Sequence, residues 1–92
     1  MTNREQLVYL MGEYYLGNYK TDAFADELYR IYDLEIARLE LTPKEQDLLG
    51  ELSKITSRFS PHEKDHLLWP GTYYTEAEVK EKATEVYQKL GW

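Results

Sequence analysis

Thr42-Pro43-Lys44-Glu45-Gln46-Asp47-Leu48-Leu49-Gly50-Glu51-Leu52-Ser53-Lys54-Ile55-Thr56-Ser57-Arg58-Phe59-Ser60-Pro61 is the stretch that decides the fold. It has a marked start, a periodic interior and a marked stop. Thr42 and Glu45 form a capping-box pattern, in which the hydroxyl accepts from the amide three residues on and the carboxylate reaches back. Pro43 stands at the first helical position, where its missing N–H costs nothing and its fixed φ suits the helix. Leu48, Leu49, Leu52, Ile55 and Phe59 then recur at three- and four-residue spacing, which is one apolar helix face. Ser60-Pro61 ends the run, because proline disfavours helical backbone in the residue before it.

The same signals repeat outward. Asn3 with Gln6 is placed to open a first helix carrying Leu7, Leu10, Met11 and Tyr14, with Val8 and Tyr15 widening the stripe and Gly17-Asn18 as the stop. A second helix starts near Thr21 or Asp22. Phe24, Leu28, Ile31 or Tyr32, Leu34, Ile36 and Leu39 are its expected apolar positions. Residues 61–74 are the least regular: a short helical turn over 62–68 is expected, broken by Trp69-Pro70-Gly71. Thr75-Glu76-Ala77-Glu78 is another capping box, with Tyr74 and Val79 at hydrophobic-staple positions. Val79, Ala83, Val86, Tyr87 and Leu90 are the expected inward face of the last helix, and Glu76–Lys80, Glu78–Lys82 and Glu85–Lys89 are i,i+4 pairs on its outer face. No β pattern competes. The expectation is an all-α fold over residues 1–92 as one domain: an antiparallel four-helix bundle with a longer loop between the third and fourth helices.

Composition bounds the function. Of 92 residues, 17 are acidic and 11 basic, for a net charge of −6. Residues 21–51 hold nine acids and three bases, so the whole excess lies there. Such a field repels nucleic acid and attracts basic proteins, and it also keeps a small domain soluble. The chain has no cysteine, which excludes disulfides and thiolate ligands and fits a reducing, cytoplasmic setting. No apolar run approaches the roughly 18 residues of a membrane span.

His62-Glu63-Lys64-Asp65-His66 spells H-E-x-x-H, the zinc-protease pattern. That pattern needs a helix in an apolar wall and a third ligand. Here it follows directly on proline, contains Lys64 and Asp65, and draws on the only two histidines in the chain. A polar first turn accounts for it better. No nucleophile elbow or phosphate loop occurs, so no cofactor, metal or catalytic group is expected. Tyr9, Tyr14, Tyr29, Tyr32 and Tyr87 fall on or beside helix stripes and are expected to pack. Trp69, Tyr73 and Tyr74 fall in the loop, where large rigid amphipathic rings serve either to close the bundle or to anchor a partner.

The order of these signals resembles the colicin D-type family of bacterial self-protective immunity proteins. The likeness runs along nearly the whole chain: the Leu16-Gly17 end of the first helix, the start at residues 21–24, Leu28-Tyr29-Arg30-Ile31-Tyr32, and above all Arg58-Phe59-Ser60-Pro61 followed by Tyr73-Tyr74-Thr75-Glu76. The resemblance implies a small four-helix bundle that binds the C-terminal nuclease domain of a bacteriocin or contact-dependent inhibition toxin. In the colicin D case that domain is a tRNase, and inhibition places acidic side chains where RNA phosphates would lie. The family's acids flank the Arg-Phe-x-Pro turn, whereas the matching positions here are Ser57 and His62. The nearest acids are Glu63 and Asp65, with Asp47 and Glu51 on the outward side of the third helix. The partner-binding residues expected from residues and resemblance together are Asp47, Glu51, Glu63, Asp65, Trp69, Tyr73 and Tyr74. The rival expectation is a generic acidic helical adaptor for some other basic protein.

Overall fold

The computed structural model describes residues 2–36 and 40–92, and these are mostly helical. Five α-helices follow in order: α1 (Asn3–Tyr15), α2 (Thr21–Leu28), α3 (Pro43–Thr56), α4 (Glu63–Leu68) and α5 (Glu76–Leu90). A π-helical segment, Tyr29–Glu35, continues α2 directly. Helix α5 packs against both α1 and α3, and α1 against α2 and the π segment. Among the described residues no helix is long and apolar enough to cross a membrane.

Three helices begin with complete capping boxes. Thr42 accepts from the Glu45 amide and Thr75 from the Glu78 amide, each glutamate returning to the cap backbone. The box on α1 uses Thr2 and Glu5, one residue earlier than the Asn3–Gln6 expectation. The two patterns overlap, and a charged carboxylate suits the positive end of a helix better than an amide. Asn3 instead donates from its side chain to the Glu35 carbonyl at 3.1 Å, tying α1 to the end of the π segment.

The core is built from the expected stripes. Leu7, Leu10, Met11 and Tyr14 of α1 meet Phe24 and Leu28 of α2, Leu48, Leu49 and Leu52 of α3, and Val79, Ala83 and Val86 of α5. The Tyr14 and Phe24 rings stack at 4.0 Å. The Tyr14 hydroxyl lies 2.8 Å from the Thr21 hydroxyl, which is 3.0 Å from the Glu76 carboxylate. A hydroxyl has one proton, so Thr21 donates to Glu76 and accepts from Tyr14. Burial, the largest influence, pushes the Tyr14 phenol above its usual range.

Other expectations change as well. The second helix does not run on as an α-helix: the Ile36 amide bonds to the Ile31 carbonyl at 2.8 Å, five residues back. The wider turn keeps Ile31, Tyr32 and Ile36 buried and turns Leu34 out to 65% exposure, although it was expected inside. Leu39 lies outside the described residues. On α5, Lys82 pairs with Glu85 at 3.1 Å and with Glu51 of α3 at 3.6 Å instead of with Glu78, which serves the Thr75 cap. Gly50, inside α3, has its explanation in Tyr32: a Cβ there would sit 3.3 Å from the Tyr32 hydroxyl.

Glu45 is the polar junction of the fold. Its side chain is 7% exposed, caps α3, and accepts from Arg4 of α1 at 2.6 Å. Arg4 also lies over the Trp92 ring, 5.5 Å from its centroid. The Arg4 bonds hold the Glu45 carboxyl below its ordinary value, against the opposing effect of burial. A carboxylate with a depressed folded pKa stabilises the fold above its unfolded pKa, and that contribution is lost as pH falls through the folded pKa. Glu45→Gln is therefore expected to cost about 1–2 kcal/mol near neutral pH, with the gap to wild type narrowing under acid. Urea denaturation at neutral pH and near pH 3 checks both the size and the sign.

Candidate functional site

The long connection between α3 and α5 is closed at its base. The Tyr74 amide donates to the Arg58 carbonyl at 2.7 Å and the Ser60 amide to the Tyr74 carbonyl at 3.1 Å, pairing Phe59 with Tyr74 in an isolated parallel bridge. Phe59 and Tyr74 both pack on the core from this position. Inside the loop, buried Ser60 is the hub. Its hydroxyl donates to Asp65 and accepts from the His62 amide, and its carbonyl accepts from His66 Nε2 at 2.9 Å. Gly71, at φ +77°, makes the left-handed turn back toward α5.

Asp65 and His66 are thus engaged at Ser60, while Glu63 and Lys64 face solvent and the apolar residues that follow face out. Helix α4 buries no residue at all. Leu67 is 72% exposed, Leu68 58% and Trp69 60%, with Tyr73 also exposed nearby in the chain. Single exposed apolar residues are ordinary. Here three stand in succession at the end of a helix that buries no residue.

Beside the loop runs a groove of about 540 Å³ between α2, the π segment and α3. Asp22, Asp26 and Asp33 line it, and Tyr29, 54% exposed, stands among them. Their 22-26-29-33 spacing is that of one helix face. Ala25, Phe59 and Pro61 supply apolar wall, and Ser53 of α3 donates its hydroxyl to Asp33 at 3.2 Å. No basic residue among the described ones lines this groove. Lys54 and Arg58 line an adjoining hollow with Tyr74 and with Ser57, which it shares with the groove. Phe59 and Pro61 belong to both the groove and the base of the loop.

The residues named from sequence fall into different places. Glu63, Trp69 and Tyr73 are exposed on the loop. Asp65 lies in the same loop but is engaged with Ser60, and Tyr74 is half-buried in the clamp. Asp47 and Glu51 line another hollow on α3 with Gly50 and Lys54, where Glu51 is within reach of Lys82. His62 and His66 sit at the start and in the body of α4. Among the described residues no three His, Cys, Asp or Glu side chains gather in a metal-holding arrangement. Asp22, Asp26, Asp33, Leu67 and Leu68 were not singled out by sequence, and Tyr29, like Tyr9, was expected to pack but is exposed. The 22-26-29-33 spacing was available as a signal, but it was submerged in a generally acidic stretch. Comparison with known proteins found no matching family model, no matching curated protein and no matching solved structure.

The loop's division of labour is testable by stability. Leu67→Ser and Trp69→Ser are each expected to shift unfolding free energy by no more than about 0.5 kcal/mol, whereas Leu52→Ala in the core costs about 2–5 kcal/mol. Denaturant titration of the three variants provides the comparison.

Proposed function

We propose that this chain is an immunity protein, a non-catalytic cytoplasmic binder that occludes the active site of a cognate bacterial nuclease toxin domain. In this reading α1, the α2–π unit, α3 and α5 are the four helices of an antiparallel bundle, and α4 belongs to the long connection. The observation that carries the reading is an acidic groove without a basic lining residue, walled in part by Phe59 and Pro61 at the base of the loop that exposes Leu67, Leu68 and Trp69. A nuclease site is lined with cations that hold phosphate. Carboxylates at Asp22, Asp26, Asp33 and Glu63 offer the matching charge, and the apolar triad offers the desolvated anchor on which protein interfaces concentrate their energy. The colicin D-type resemblance supplies the toxin class and favours a tRNA-cutting enzyme. The net charge of −6 adds long-range steering, which matters for capturing a lethal partner quickly.

The experiment is inhibition of the nuclease domain encoded beside this gene, with tRNA cleavage followed on gels and binding by calorimetry. Stoichiometric protection is expected. Leu67→Ser combined with Trp69→Ser is expected to weaken binding by about tenfold or more, and association should slow as salt rises. Undiminished cleavage with excess wild-type chain, and no heat of binding, overturns the reading.

A further inference from the structure

We infer that the groove between α2, the π segment and α3 receives an arginine-bearing segment of the partner, so that a side chain of the partner enters this chain. The inference rests on the immunity reading for the partner's identity. Its chemistry comes from the groove itself.

Asp22 and Asp26 are one helical turn apart, and like charges at that spacing repel in the free chain. No base among the described residues relieves them from within the groove. An incoming cation does so. A resident metal ion does not fit, because the carboxylates do not converge on one point. The walls select among organic cations. Tyr29 presents a half-exposed ring on which a guanidinium stacks well, and arginine, with its planar fork, pairs with carboxylates bidentately where lysine offers a single point charge. Ala25, Phe59 and Pro61 give the aliphatic stem an apolar surface to lie on. Phe59 and Pro61 also form the base of the loop that carries Leu67, Leu68 and Trp69, and on the immunity reading one protein partner engages both. The occupant is therefore a segment of a macromolecular partner.

The test uses the isotope-labelled full chain and two defined peptides, pentaarginine and pentalysine. Amide shifts at Ala25, Asp26, Tyr29, Asp33 and Ser53 are expected to saturate with pentaarginine, at an affinity severalfold above that for pentalysine. Asp26→Asn with Asp33→Asn, whose asparagine still accepts from Ser53, is expected to abolish the localised shifts while the amide spectrum shows an intact fold. Glu40→Gln with Glu81→Gln removes the same charge elsewhere and leaves them in place. Shifts confined to other surfaces, or equal binding of the two peptides, overturn the inference. The same Asp26 and Asp33 variant is expected to bind the toxin domain at least about tenfold more weakly. Toxin binding unchanged in that variant overturns the inference and leaves the immunity reading standing. Failure of the wild-type chain to bind the toxin overturns the immunity reading, while groove-localised arginine shifts would still uphold the chemistry inferred for the site.

Discussion

Two backbone hydrogen bonds at one point, between residues 58–60 and Tyr74, set the geometry of everything that lies outside the core. Helices α3 and α5 are packed side by side, so the end of one and the start of the other need only a short link. The chain instead runs a long connection and then pins its two ends together. Closing such a loop costs entropy that grows slowly with its length. Phe59 and Tyr74 offset that cost by burying apolar surface at the clamp. With the ends fixed, Ser60 can be buried and can gather Asp65, the His62 amide and His66 around it.

This arrangement separates the packed core from the outer loop. The core draws on α1, α2, the π segment, α3 and α5, and α4 adds no buried residue. Leu67, Leu68 and Trp69 are therefore free of any duty to the interior. Phe59 is the exception, since it packs on the core, forms the clamp and walls the groove. Charge follows the same division. Acids paired with bases, such as Glu45 with Arg4 and Glu85 with Lys89 and Lys82, lie away from the groove, while no base among the described residues lines the groove beside its aspartates.

What could be read from sequence follows from how local each interaction is. The Thr42 and Thr75 caps were legible because a capping box is a four-residue chemical pattern. The α1, α3 and α5 faces were legible because apolar periodicity is a long-window signal. The α1 cap moved by one residue because two overlapping patterns competed. The π turn had no such signature: its five-residue hydrogen bond depends on how Ile31, Tyr32 and Ile36 fit the other helices, and Leu34 was misassigned with it. The exposed leucines were hidden for a related reason. Leu-Leu-Trp after a polar turn reads equally well as core or as surface, and only the closed loop shows which way it faces. The groove needed two segments, α2 with its π extension and the end of α3, which no single stretch of sequence displays together.

The π segment also bears on how this groove changes over generations. In an α-helix each residue turns the chain by about 100°, so a residue lost between Asp26 and Asp33 would swing Asp33 away from the face it shares with Asp22 and Asp26 unless the turn changed its pitch to absorb it. A deletion of a single codon would thus rearrange the acidic face without altering any side chain on it. Diversification of this surface can proceed by length as readily as by substitution. Descendants of the chain that differ by one residue here would carry the same letters pointed in a different direction.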